Sequence, residues 1–362
     1  MLPPRLQKGF WARAMSFIKS GEPTKSQVLR YPSLEFNRDD VKGLDTVKVF
    51  PKDFDYEKGV YVIHFGGNAE SWQRGRIYEA ARNAARDGVA SICFNPPGIG
   101  ASKGERVSER DMIEAGKKQV KDLIEFGVKP ERIILKGFSL GGETATLVAS
   151  ELKKEGKEVN LFNDRSFSSL NNVVKGWVKK LHLPVSEKFV DKVLKRYGWE
   201  MNASEAWKNI DEDKKVMLYT PQDAIITDRG GLFQAASREE KPNIVEISPS
   251  EVLENNHLSH LSYLTSKKLF QERNPDFDPY SIDASKRESS TFSITGETIF
   301  TDFVSKVKER ILPPIFQTTP VIETGQGNGH ELRQALTGQE TSTSRPIQVV
   351  SATAAKANNH VR

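Results

Sequence analysis

Ser139 stands in Gly137-Phe138-Ser139-Leu140-Gly141-Gly142, after the apolar run Arg132-Ile133-Ile134-Leu135-Lys136 and before a helix-compatible stretch from Glu143 to Ala149. Glycines two residues either side of the serine permit a strand-to-helix turn too tight for side chains. Such a turn, a nucleophile elbow, pushes the hydroxyl outward. A serine becomes a nucleophile at neutral pH only with a base to take its proton and a third group to orient that base. Candidates for both lie downstream. The apolar run Lys215-Val216-Met217-Leu218-Tyr219 ends in Pro221-Gln222-Asp223, a strand followed by a turn carrying a carboxylate. The next run, Asn243-Ile244-Val245-Glu246-Ile247-Ser248, leads into a polar loop holding His257 and His260. Of the six histidines, His64 ends an upstream strand, His182 lies in a basic helical insert, and His330 and His360 fall in a polar tail. That leaves His257, which heads its loop, as the expected base, with His260 as the alternative. Asp223 is the expected acid. Asp164 is the alternative, one strand earlier, and Asp228 reads as a turn former.

Acyl transfer through such a serine also needs two backbone N–H groups aimed at the developing oxyanion. Leu140, the residue after the nucleophile, supplies one from the start of a helix, where the dipole favours an anion. The second is expected from Asn68, in the loop Gly66-Gly67-Asn68-Ala69-Glu70 that follows the strand-like run Val60-Tyr61-Val62-Ile63-His64-Phe65.

Together, Phe65-Gly66-Gly67-Asn68-Ala69, the loop Asn95-Pro96-Pro97-Gly98-Ile99-Gly100-Ala101-Ser102, the elbow, Pro221-Gln222-Asp223 and the late histidine resemble the α/β-hydrolase superfamily over residues 45 to 265. The Gly-Asn-Ala loop is similar to that of compact esterases and acyl-protein thioesterases. Asn163-Asp164-Arg165-Ser166-Phe167-Ser168-Ser169-Leu170 is similar to hydrolases of intracellular bacteria such as Legionella and Chlamydia. The resemblance implies a serine esterase, lipase or deacylase acting on an ester or thioester substrate. The alternative, suggested by the altered oxyanion loop and the long flanking segments, is a catalytically weak or inactive hydrolase-fold binding module, a secreted effector engaging a host protein or membrane. Where the superfamily often carries His-Gly before the oxyanion donor, this chain has Gly66-Gly67, so a bracing side chain is missing or is replaced by His64.

The elements that must position these residues alternate. Apolar runs near 47–50, 60–65, 89–94, 132–136, 159–163, 215–219 and 244–247 are separated mostly by helix-compatible segments, which implies an α/β fold: a mostly parallel sheet with helices on both faces. Helical patterns over 78–87 and 109–126 stop at Gly88 and Gly127. Between 166 and 213 the alternation lapses into helical spacing (Val173, Val174, Trp177, Val178; Phe189, Val190, Val193, Leu194), predicting a helical cap inserted before the acid-bearing strand. The resulting organisation is a basic amphipathic segment at 1–44, the hydrolase domain at 45–270, a connector with a short helix at 271–312 and a polar, disordered tail at 313–362.

Net charge is +5, from 53 basic and 48 acidic residues, too diffuse to imply nucleic-acid binding. The cap is locally basic, and residues 1–20 interleave Phe10, Trp11, Phe17 and Ile18 with Lys8, Arg13 and Lys19, so either could make peripheral membrane contact. Neither a secretory leader nor a run of transmembrane length is evident, which points to a cytoplasmic protein of the producing cell, or one exported to a host by a specialised system. The single Cys93 falls in an apolar strand. No cluster has metal-ligand spacing, so neither metal nor other cofactor is expected.

Overall fold

The computed structural model describes residues 30–311, apart from 69, 105–107, 222, 224, 227–229, 237–242, 250–256, 259 and 276–293. The chain divides into two units, Met1–Ile315 and Phe316–Arg362, and every described residue belongs to the first. Residues 1–29, residues 276–293 of the connector and the tail from 313 lie outside the described residues.

Among the described residues, eight strands form the main sheet: β1 (Leu34–Val41), β2 (Leu44–Pro51), β3 (Tyr61–Phe65), β4 (Ala90–Phe94), β5 (Ile133–Phe138), β6 (Asn160–Asp164), β7 (Lys215–Tyr219) and β8 (Ile244–Glu246). Their spatial order is β1-β2-β4-β3-β5-β6-β7-β8. β1 and β2 pair antiparallel, β2 pairs antiparallel with β4, and β3 to β8 run parallel. Central strands are buried along their whole length, as β3, β4, β5 and β6 are, because helices cover both faces. Their continuous apolar runs follow from that burial.

Alternate side chains of each strand serve opposite faces. Ile133 and Leu135 of β5 join one core with α2 (Glu109–Glu125), α3 (Leu140–Lys154) and Trp207, while Ile134 faces the other. That second face is covered by α1 (Ile77–Asp87), through Ala80, Ala81 and Ala84, and by a late helix described below. α1 stops at Gly88, whose left-handed φ of 59° only a glycine adopts without strain.

Between β6 and β7 lie α4 (Leu170–Lys180), α5 (Glu187–Tyr197) and α6 (Ala203–Asn209). The first two form the cap hairpin; each opens on a serine, Ser169 or Ser186, whose side chain accepts an N–H of the first turn. α6 differs, because Ala203 and Trp207 pack into the main core. The cap is therefore narrower than 166–213. A short helix α7 (Leu232–Ala236) follows β7, and a small second sheet joins β9 (Ser248–Pro249), β10 (Leu264–Ser266) and β11 (Ile294–Thr295), with α8 (Lys267–Arg273) after β10.

Two boundaries drawn from the sequence move. The sheet begins at Leu34 rather than at 45, because β1 pairs with β2 along its whole length even though most of its side chains are at least partly exposed. The helix of the connector, α9 (Gly296–Ile311), is core: Ile299, Phe300, Phe303, Val304 and Val307 pack on Val60, Val62, Ile134 and Phe162. Phe162 meets the rings of Phe300 and Phe303 at 4.9 and 5.9 Å. Burial of side chains of this size is worth about 2 kcal/mol each, so α9 is part of what holds the sheet.

Candidate active site

Ser139 follows β5 directly and caps α3 with φ 53° and ψ −119°, a conformation a non-glycine residue adopts only under strain of about 1–3 kcal/mol. Neighbouring hydrogen bonds enforce it. The Ser139 N–H donates to the Asp164 carbonyl at 3.0 Å, and its own carbonyl accepts from Gly142 and Glu143. The flanking glycines are required by close approach. A Cβ on Gly137 would lie 2.3 Å from the Gly141 carbonyl oxygen, and one on Gly141 would lie 2.2 Å from that of Phe65.

The Ser139 Oγ lies 3.0 Å from His257 Nε2, and His257 Nδ1 lies 2.7 Å from Asp223 Oδ2. Asp223 uses its other oxygen, Oδ1, to accept the Ile225 and Ile226 N–H groups at 2.8 and 2.7 Å. His257 is buried, as the Asp223 side chain is, and Ser139 keeps partial exposure. The three expected residues thus form one hydrogen-bonded chain. A proton leaving Ser139 Oγ has an acceptor in line, and the resulting imidazolium a buried carboxylate behind it.

The two alternatives are engaged elsewhere. Asp164 is in a two-point ion pair with Arg165, at 2.7 and 3.0 Å, and does not reach the imidazole. Arg165 in turn donates from Nη1 to the His257 carbonyl at 2.8 Å, so this pair fixes the His257 backbone. His260 binds Ser262 at 2.9 Å and Arg82, with Glu297 at 3.5 Å; burial first, then the Arg82 charge, lower its pKa below the ordinary imidazole value.

Leu140 opens α3, and Asn68 follows the Gly66-Gly67 turn after β3. The bracing side chain of that turn is not His64, which is buried in β3 with its Nε2 3.3 Å from Ser91 Oγ and its pKa held down to about 3 by burial. Glu70 takes the role: its Oε2 accepts the Gly67 N–H at 2.7 Å and the Arg76 Nε–H at 2.8 Å. Arg76 also pairs with Glu79, which pairs with Lys136 at 2.7 Å, and the Lys136 ammonium sits 3.8 Å from the Phe300 ring centroid of α9. Burial alone would raise the Glu79 carboxyl, but the Lys136 and Arg76 charges override it and hold the group well below the usual range. The Arg76 and Arg165 guanidinium groups lie 5.0 and 4.9 Å from the Phe138 ring centroid, so Phe138 contacts both the loop brace and the anchor of His257.

Apolar side chains border Leu140: Met112, Phe167 and Ile226 from the body, Val173 and Met201 from the cap region. The cap touches the acid loop as well, since Trp177 Nε1 donates to the Ile225 carbonyl at 2.7 Å. A cavity of about 330 Å³ lined by Arg165, Tyr219, Thr220, Asp223, Ile226 and Leu232 borders the acid without reaching Ser139.

Glu143, one turn after Ser139, is fully buried, and neither carboxylate oxygen has a hydrogen-bond partner among the described residues. Burial first, then the charge of Glu109, raise its pKa well above the usual value. A carboxyl raised in the fold stabilises it fully below the unfolded pKa, and that contribution is lost as pH rises toward the folded pKa. Relative to wild type, a Glu143→Gln variant should therefore gain about 1.4 kcal/mol of stability per pH unit above the ordinary carboxyl range, until Glu143 ionises in the fold. Urea unfolding of both proteins at several pH values measures the slope, and parallel curves would refute it.

The strand order, the antiparallel β2, the elbow after β5 and the helices on both faces define an α/β-hydrolase fold. No protein-family model and no curated protein matches the sequence. Among solved structures, the chain is similar to an α/β-hydrolase from Vibrio vulnificus, with 15% identity and a TM-score of 0.48 over 76% of this chain and 93% of that one. It is similar also to an esterase/lipase from an uncultured bacterium (12% identity, TM-score 0.47, 86% and 92% of the two chains). A Pyrococcus furiosus esterase follows at 17% identity and TM-score 0.42, over 62% and 83%.

Proposed function

We propose that the protein is a serine hydrolase of carboxylic esters or thioesters. The observation that carries this reading is the hydrogen-bonded chain from Ser139 Oγ through His257 to Asp223, on a strained elbow. Ser139 Oγ attacks the acyl carbonyl while His257 Nε2 takes its proton. Asp223 keeps the remaining imidazole proton on Nδ1 and stabilises the imidazolium. The N–H groups of Leu140 and Asn68 bind the oxyanion. His257 then protonates the departing alcohol or thiol, and a water activated by the same histidine releases the acid from Ser139. The apolar side chains beside Leu140 form the acyl side of the site, with the cap as its roof.

Two assays test this. A fluorophosphonate probe should label wild type at Ser139 and leave Ser139→Ala unlabelled, because only an activated serine reacts readily. A series of oxygen esters and thioesters of rising chain length then identifies the substrate class. A wild-type protein that takes up no probe and cleaves none of the series would end the proposal.

In this reading Glu70 positions the oxyanion loop. Glu70→Ala should lower kcat by about tenfold to a hundredfold with little change in KM, since an oxyanion donor acts in the transition state. Steady-state kinetics on the best ester decides it; an unchanged kcat would remove Glu70 from this role.

A further inference from the structure

The cap hairpin turns an unusual surface outward. Residues 181 to 189, the link from α4 to α5 and the start of α5, are exposed without interruption, and they include Leu181, Leu183, Val185 and Phe189, exposed by 63, 48, 37 and 50%. Trp177, one helical turn before Leu181, is exposed by 42%. Five large apolar side chains therefore gather at one end of a two-helix hairpin in which Val173, Gly176 and Val190 are the buried residues. Most other elements hold their apolar side chains inward, so this cluster is not explained by packing.

Charge says what covers it. Residues 170 to 200 hold seven basic side chains and three acidic ones, in a chain whose whole formal charge is +5. Lys188, Lys192 and Lys195 follow one another at helical spacing along α5 and line an open groove of about 490 Å³ with Asn171, Asp191 and Glu200. Asp191 is already held by Lys175 at 2.5 Å and by Asn171 at 2.6 Å. None of the three groove lysines pairs with a carboxylate among the described residues. Apolar side chains at a tip, flanked by uncompensated lysines, fit the boundary between headgroups and acyl chains of an anionic bilayer. A protein partner of ordinary composition would offer no such match of an apolar layer beneath a negative one. No helix of the described residues is long and apolar enough to cross a membrane, so the contact is peripheral.

We infer that the 177–189 tip of the cap docks on anionic membrane surfaces, with Leu181, Leu183 and Phe189 entering the acyl boundary and Lys188, Lys192 and Lys195 on the headgroups. This goes beyond the esterase reading and does not depend on it. The two meet at Trp177, whose indole N–H holds the Ile225 carbonyl next to the two N–H groups on Asp223. A docked cap lies one hydrogen bond from the acid loop.

Flotation of the intact protein tests the inference, on vesicles of phosphatidylcholine alone and of phosphatidylcholine with phosphatidylserine. Wild type should float with the anionic vesicles, remain behind with the neutral ones, and lose binding as salt rises to about 0.5 M, where screening is nearly complete within a few ångströms. Leu181→Ser/Leu183→Ser/Phe189→Ser and Lys188→Glu/Lys192→Glu/Lys195→Glu should each reduce the bound fraction at least tenfold. All six side chains are exposed, so unchanged thermal melting shows that folding is intact. Ser139→Ala should float as wild type does, which separates this result from the outcome of the activity assays. Absence of flotation on anionic vesicles overturns the inference. Undiminished flotation of both triple variants also does so, because it places the contact elsewhere in the chain. A change of oligomeric state in the apolar variant with flotation unaltered would assign the tip to a second copy and overturn it equally.

Discussion

An Asp223→Asn variant is expected to hydrolyse a short p-nitrophenyl ester about ten-thousandfold more slowly than wild type while melting at nearly the same temperature. The size of the effect follows from which atoms Asp223 uses. Its Oδ1 accepts two backbone N–H groups, from Ile225 and Ile226, so that position must remain an oxygen. An asparagine can satisfy both amides only by placing its oxygen there, which turns its NH₂ toward His257 Nδ1, the atom 2.7 Å from the carboxylate in wild type. Nδ1 must then accept, so the imidazole proton moves to Nε2. Nε2, 3.0 Å from Ser139 Oγ, becomes a donor to the hydroxyl instead of an acceptor from it. The base is present, in place and in the wrong tautomer. Loss of kcat with folding retained is the signature, read from kcat and from a melting curve on the same preparation. A variant within tenfold of wild type would show that Asp223 does not orient the base. Asp164 could not then be its substitute, since its carboxylate is already bound at two points by Arg165.

What was legible in the sequence is what the chain encodes locally. The elbow could be read because three glycines, one serine and the strand and helix beside them lie within some twenty residues. The placement of Asp223 and His257, which lie 2.7 Å apart, could be read because each follows an apolar run. β1 was missed because it is an edge strand whose Asn37, Arg38, Asp39 and Asp40 face outward or partly so, leaving no apolar alternation to detect. α9 was seen as a helix but not as core, because its partners, Val60, Val62 and Phe162, are more than a hundred residues away. Spacing leaves Asp164 open beside Asp223, since Asp164 ends β6 and Asp223 follows β7. What occupies Asp164 is Arg165, whose side chain folds back on its neighbour in a left-handed backbone conformation with φ 47°.

The brace under the oxyanion loop shows the same limit more sharply. Gly66-Gly67 reads as a missing histidine, and the sequence of the loop does not show that Glu70 takes its place. The correction comes from Glu70, Arg76, Glu79, Lys136 and Phe300, contributed by a loop, two helices and a strand, and joined only once the sheet has formed. A network of this kind substitutes several buried ionic contacts for one side chain. Each member is costly to leave unpaired, so the loop's geometry is tied to global folding.

That dependence is greatest where the elbow meets the loop, and a Gly141→Ala variant should expose it by losing about 3 kcal/mol or more of stability, the upper end for an added methyl group. The new Cβ would sit 2.2 Å from the Phe65 carbonyl oxygen and 2.5 Å from that of Gly66. Both are backbone atoms at the end of β3, so no side-chain rotation can relieve the contact. Either α3 moves away from the sheet, carrying Leu140 and its N–H, or the Gly66-Gly67 turn moves and strains its bond to Glu70. In both cases the distance between the two proposed oxyanion donors changes, so ester hydrolysis should fall together with stability. Gly75→Ala is the matched control: its Cβ meets nothing within 4 Å and its φ is not left-handed, so it should be neutral or stabilising by about 0.5–1 kcal/mol. Urea unfolding of the pair measures the difference directly. A Gly141→Ala protein as stable as Gly75→Ala would mean that the elbow and the oxyanion loop are not in the close contact on which the site's geometry depends.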